Sequence, residues 1–168
     1  RTVRFNLRHD VKFISGNALT ALDVKWSLQR AKTSADFKAI FQPISHARVI
    51  DAHTVDLITD KPYALLENIA TQLFIMDSLF YQGFDEQQKA KDAIENHGHS
   101  YASMHASGTG PFVVIKRQQG VEIQLKRQAD YWDHASRGNV SQISIIPIHD
   151  SATRSAALLA GDLDLIAP

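Results

Sequence analysis

Gly108-Thr109-Gly110-Pro111-Phe112 runs directly into the apolar stretch Val113-Val114-Ile115, and the next aromatic pair is Tyr131-Trp132. Two glycines around a threonine, closed by a proline, read as a loop. The β-branched run after it reads as a strand. A phosphate-binding loop would need a helix N-terminus behind the glycines, and Pro111 followed by a strand removes that geometry. Neither catalysis nor metal binding explains the segment, so it speaks for the shape of a scaffold.

Working outward, residues 112–115 and 121–125 form a hairpin around Gln118-Gln119-Gly120, and 143–148 reads as a strand. A helix over 151–160 follows, with Asp150 as cap and Gly161 as stop, and 162–166 returns as a strand. Upstream, Val3, Phe5 and Leu7 alternate with polar residues as in a half-buried strand. Val11-Lys12-Phe13 stays extended, and Ser15-Gly16-Asn17 is a turn cluster. Thr20 with Asp23 offers a capping box, and Val24, Leu28 and Ala31 give the next helix its apolar face. A short helix over 36–41 precedes Pro43. Arg48-Val49-Ile50 and Val55-Asp56-Leu57-Ile58 form another hairpin. Pro62 suits the first turn of a helix bearing Leu65, Leu66, Ile69 and Leu73. Asp85 is expected to cap a polar helix through Ala93 and Ile94, and 97–107 reads as a loop. Strands and helices mix without strict βαβ alternation, so the fold class is α/β or mixed α+β. The domain boundary is placed at 107/108.

A chain of 168 residues with 44% hydrophobic and 21% charged residues is that of a globular domain with a real core. The 18 basic and 18 acidic residues cancel, which removes the basic face expected of a nucleic-acid binder. The absence of cysteine excludes disulfides, a thiol nucleophile and cysteine-ligated metal. No apolar run approaches the length of a transmembrane helix. The chain opens within a strand at Arg1-Thr2-Val3 and stops at Pro168 without a closing element, which reads as a piece cut from a longer protein.

His97, His99 and His105 are the one local group of potential metal ligands. A native site would need a closed ligand set, and a solvated loop is the stronger reading. No Gly-x-Ser-x-Gly elbow accompanies the serines and histidines. Asp162 and Asp164 share one face of the expected strand and read as solvated. Trp26 is expected to pack from its helix, and Tyr131-Trp132 to plug a sheet end with wet polar tips. Arg154 is expected to pair with a carboxylate or cap a loop. Phe37, on the irregular stretch after the first helix, is a better contact residue than core residue.

In order, Phe5-Asn6-Leu7-Arg8-His9-Asp10-Val11-Lys12-Phe13, Leu19-Thr20-Ala21-Leu22-Asp23-Val24 with Ser27 to Arg30, and Gly108-Thr109-Gly110-Pro111-Phe112 match one pattern. Tyr131-Trp132, Ile146-Pro147-Ile148 and the stretch from Thr153-Arg154 to Gly161-Asp162-Leu163-Asp164 complete it. Together they resemble the peptide/nickel-type (family 5) extracellular solute-binding proteins of ABC importers. The chain departs at Ile14-Ser15-Gly16, where the family carries His or Ser and then Asp-Gly, and 74–106 has no match.

The resemblance implies a fragment of a periplasmic-binding-protein type II-like fold, with an accessory domain in 1–107 and part of the first ligand-binding lobe in 108–168. It implies no catalytic residue, no cofactor and no bound metal. The expected function is capture of a peptide or other small solute at the periplasmic or extracellular face of the membrane, for delivery to an ABC permease. The main anchors for ligand termini would lie in the lobe beyond this chain. Within it, Phe37 and the run Leu165, Ile166, Ala167 and Pro168 are the expected ligand contacts, and the fragment alone should bind peptides weakly or not at all. One rival is a ligand-sensing domain of a transcriptional regulator. Another is a metalloprotein or hydrolase using the histidine-rich loop. Gly110 is expected to cost stability on substitution if it sits at positive φ.

Overall fold

The computed structural model describes residues 1–94, 100–135 and 138–167. It divides into two compact units, Arg1–Pro111 with Asp130–Ser136, and Phe112–Ala129 with Arg137–Pro168.

Unit 1 is built on strands β1 (Thr2–Asn6), β2 (His46–Asp51) and β3 (Thr54–Ile58), antiparallel in the order β1-β3-β2. Alternation decides which face is buried. Val3, Leu57 and Ala47 align across the sheet, as do Phe5, Val55 and Val49, and these rows turn toward helix α1 (Ala21–Thr33). Helices α2 (Lys38–Phe41) and α3 (Leu66–Ala70) help to close the core. Its fully buried side chains include Leu28, Phe41, Ile44 and Val55, each worth about 1.5–3 kcal/mol in removal from water. On the other face, Arg4, Asp56 and Arg48 form a cross-strand row. The Asp56 carboxylate accepts from both guanidinium groups at 2.7–3.0 Å.

Helix α1 begins at Thr20 as the sequence indicates. The Asp23 carboxylate accepts from the Thr20 N–H and hydroxyl, each at 2.8 Å. The turn at Gly16 has φ +93°, a conformation suited to glycine.

Unit 2 holds β4 (Phe112–Gln118), β5 (Glu122–Arg127) and β6 (Gln142–Ile145), antiparallel in that order, and helix α5 (Ser151–Ala160). Asp150 caps α5 by accepting from the Thr153 N–H at 2.8 Å, and Gly161 ends it at φ +81°. No described side chain of unit 2 is fully buried, and Leu159 is 88% exposed.

Several expectations give way to local chemistry. Asp85 caps a tight loop instead of a helix: its Oδ1 accepts from the N–H groups of Gln87 and Lys89, and Gln88 sits at φ +61°. A short polar side chain that satisfies nearby backbone donors competes with helix formation. Pro62 precedes α3 by four residues, and Tyr63 between them packs against the core. The strand expected over 143–148 ends at Ile145, ahead of Pro147, which has no N–H to give a ladder. Residues 162–166 form no strand: Asp162 and Leu163 turn their N–H groups back to the Ala157 carbonyl. Within the expected loop over 97–107, Tyr101–Met104 make one helical turn, α4. Gly110 lies outside the positive-φ region and has open space around it.

Candidate functional site

Unit 1 contains a cleft of about 520 Å³ against the second half of α1. Arg30, Ala31, Phe37, Phe41, Leu73 and Phe74 are among its lining residues. Phe37 leans on the core, and its ring meets that of Phe74 edge-on at 6.4 Å between centroids. That spacing suits an edge-to-face pair. Phe74 is 71% exposed, an apolar ring held at the rim without burial to account for it.

Three side chains of unit 1 hold the 73–78 segment in place. The Ser27 hydroxyl accepts from the Met76 N–H at 2.8 Å. Asp23 Oδ1 accepts from the Ser78 N–H and hydroxyl. Asp77, fully buried, accepts from the hydroxyls of Ser15 and Ser107, the Asn17 amide and the Phe80 N–H. Burial alone would raise the Asp77 pKa, but these donors outweigh it and hold the carboxyl below its ordinary value.

Among the described residues Arg30 is the cationic side chain lining the cleft. Its face lies over Trp26, 5.6 Å from the ring, and it donates to the carbonyls of Asp92 and Ala93. Burial pulls its pKa below the usual guanidinium value, with Asp92 offsetting part of the effect. Trp26 in turn stacks on Tyr81 within 2° of parallel, so it packs from its helix as expected. Its described lining joins apolar surface, hydroxyls, the Gln72 amide, the Asp36 carboxylate and the Arg30 guanidinium, an equipment for binding.

Of the contacts expected from sequence, Phe37 lies in this cleft. Leu165, Ile166 and Ala167 belong to unit 2, with Leu165 85% exposed, and Pro168 lies outside the described residues. His97 and His99 also lie outside them. His105 stacks on Tyr101 at 4.1 Å, and among the described residues no metal-binding cluster of three His, Asp or Glu side chains forms. Arg154 caps a loop, donating to the carbonyls of Ile148 and His149. The Trp132 tip is not wet: its indole N–H donates to the Thr109 carbonyl at 3.0 Å.

Sequence reasoning missed Arg30 and Phe74 as cleft residues. The i, i+4 spacing of Trp26 and Arg30 was a usable signal. Phe74 sits in an apolar stretch without period and gave none.

Among the described residues no helix is long and apolar enough to cross a membrane. In sequence the chain is 26% identical over 174 residues to the glutathione-binding protein GsiB of Shigella flexneri, covering 99% of this chain and 31% of that protein. In structure it resembles NikZ from Campylobacter jejuni in complex with Ni(L-His), with a TM-score of 0.77 at 20% identity, covering 97% of this chain and 31% of the other. It also resembles NikA from Brucella suis in complex with Fe(III)-EDTA, with a TM-score of 0.69 at 26% identity, covering 99% and 32%. The chain thus spans about a third of the length of the relatives it matches. The model of the bacterial extracellular solute-binding proteins, family 5 Middle, matches residues 1–168, and the chain belongs to that family.

Proposed function

We propose that this chain is part of the substrate-binding component of an ABC importer, which captures peptides or small peptide-like solutes and delivers them to a membrane permease. The carrying observation is the cleft of about 520 Å³ whose lining includes the edge-to-face pair of half-buried Phe37 and exposed Phe74 beside polar groups. That combination suits a ligand of a few residues held by apolar contact and a small number of polar anchors. Membership of the family and the glutathione-binding relative support the same reading. The place of action is the periplasmic or extracellular face of the membrane. The component performs no chemistry of its own, and its affinity comes from closure of lobes that order the site and exclude water.

On this reading 1–107 acts as the accessory-domain-like segment and 108–168 as part of the first lobe. Leu165, Ile166, Ala167 and Pro168 are further contact candidates. The test is to purify the full-length protein, release its co-purifying ligand and identify it by mass spectrometry. The expected result is a peptide or peptide-like solute that rebinds on titration. A sugar or a bare metal chelate as the sole ligand would remove the peptide assignment.

A further inference from the structure

Two histidines of unit 1 meet away from the cleft. His9 follows the end of β1, and His53 stands in the turn between β2 and β3. Their ring centroids lie 4.0 Å apart, with the planes inclined at 45°. The backbone of His53 is fixed on both sides. Its N–H donates to Asp51 Oδ1 at 2.8 Å, and its carbonyl accepts from the Leu7 N–H at 2.7 Å. The ring is less well served: Nδ1 is withdrawn from water and, among the described residues, has no hydrogen-bond partner. Protonated, that atom is a donor without an acceptor; unprotonated, it is a lone pair without a donor. Buried polar atoms are ordinarily paired, and a metal ion satisfies an imidazole lone pair as a donor does.

The donors decide which ion fits. Neutral imidazole suits copper, nickel and zinc. Nitrogens bound to one zinc-sized ion at about 2.0–2.1 Å stand no more than about 4.2 Å from each other. His9 is exposed, so its ring can swing to that spacing against a fixed His53. The Arg8 guanidinium beside His9 is matched by Asp10 at 2.9–3.1 Å, and the Asp51 carboxylate beside His53 favours a cation. No third His, Asp or Glu side chain among the described residues completes a ligand set, so the ion keeps water in its other positions.

We propose that His9 and His53 form a two-histidine site for a divalent copper, nickel or zinc ion, separate from the cleft lined by Phe37 and Phe74. The site stands whether or not the peptide reading holds, since none of its residues lines that cleft.

The test titrates the full-length protein with Cu²⁺ alone, the divalent ion that ranks highest for such ligands. Bound copper is counted after dialysis, and its nitrogen ligands are read by electron paramagnetic resonance. His9→Ala and His53→Ala are each expected to bind about one equivalent less than wild type. The double variant should lose no more than either single one, because a single ion is shared. Histidines elsewhere contribute equally to every sample and cancel. The spectrum of wild type minus His9→Ala should show two nitrogens on the copper. His9 is exposed, so this arm decides even if His53→Ala fails to fold. Equal copper in wild type and His9→Ala overturns the site. So does a loss confined to one single variant, or a difference spectrum with one nitrogen. A double variant that loses two equivalents shows two independent surface histidines and overturns it as well.

Discussion

Asp23 Oδ1 accepts both the backbone N–H of Ser78, at 2.9 Å, and its hydroxyl, at 2.7 Å, across 55 residues of chain. The other oxygen of the same carboxylate caps α1 through Thr20. One buried side chain therefore starts a helix and fastens the segment that carries Phe74. Asp23→Ala leaves the Ser78 N–H, its hydroxyl and the Thr20 N–H without their acceptor. The expected cost is about 2–4 kcal/mol, read as a lower urea midpoint. An unchanged midpoint would mean that the 73–78 segment contributes nothing to folding.

The carboxylates set the acid limit of the fold. Hydrogen bonds from Arg4 and then Arg48 hold the Asp56 carboxyl far below the ordinary carboxylate range. Asp77 is also lowered, its donors overcoming burial. A carboxyl with a depressed folded pKa contributes stability that is fully present above its unfolded value, about pH 4, and is lost as pH falls through the folded value. The melting temperature should stay level above pH 5 and decline below pH 4. Asp56→Asn should flatten that decline, and the same acid slope in the variant would count against this origin.

Local signals in the sequence carried much of unit 1. Alternation in Val3-Arg4-Phe5, the Thr20–Asp23 spacing and the i, i+4, i+7 face of Val24, Leu28 and Ala31 each depend on neighbours close in the chain, so they can be read one segment at a time. The 74–81 segment could not be read that way. Its conformation is set by Asp23, Ser27, Ser15 and Asn17, more than 45 residues earlier, and by Ser107. Ser15 shows the same limit from the other side. Its hydroxyl donates to the Asp77 carboxylate, 62 residues away in the chain. The cleft was legible only at Phe37. Arg30 became visible as a cleft residue once the fold set its guanidinium over Trp26 and against the carbonyls of Asp92 and Ala93.

Phe37 and Phe74 should separate stability from binding. Phe74 is 71% exposed, so Phe74→Ala should change stability by less than about 0.5 kcal/mol. Phe37 packs against the core, and Phe37→Ala should cost about 1–3 kcal/mol. In the full-length protein both should weaken binding of the identified ligand by about tenfold, roughly one lost aromatic contact. Isothermal titration with urea unfolding on the same samples checks this. Full affinity in both variants would move the site elsewhere.

Glycine position matters at Gly161 and not at Gly110. Gly161 ends α5 at φ +81°, where a Cβ costs about 1 kcal/mol. Gly110 has an ordinary φ and no neighbour within 4 Å of a would-be Cβ. Gly161→Ala should lower the melting temperature, while Gly110→Val should leave it nearly unchanged. The reverse order would place the strained turn in the Gly-Thr-Gly loop.

Trp132 is the residue that gives that loop a physical role. Its indole N–H donates to the Thr109 carbonyl at 3.0 Å, and the Arg8 guanidinium lies 4.6 Å from its ring. Strand-end loop, aromatic plug and the chain after β1 are thereby tied together inside unit 1. Trp132→Phe keeps a ring for Arg8 and removes the donor, at an expected cost of about 1 kcal/mol. Trp132→Ala removes the cation–π contact and the packing as well, and should cost about 2–4 kcal/mol. The ordering is the informative part: if the phenylalanine variant unfolds as easily as the alanine one, the hydrogen bond to Thr109 dominates; if it matches wild type, the ring alone holds the loop.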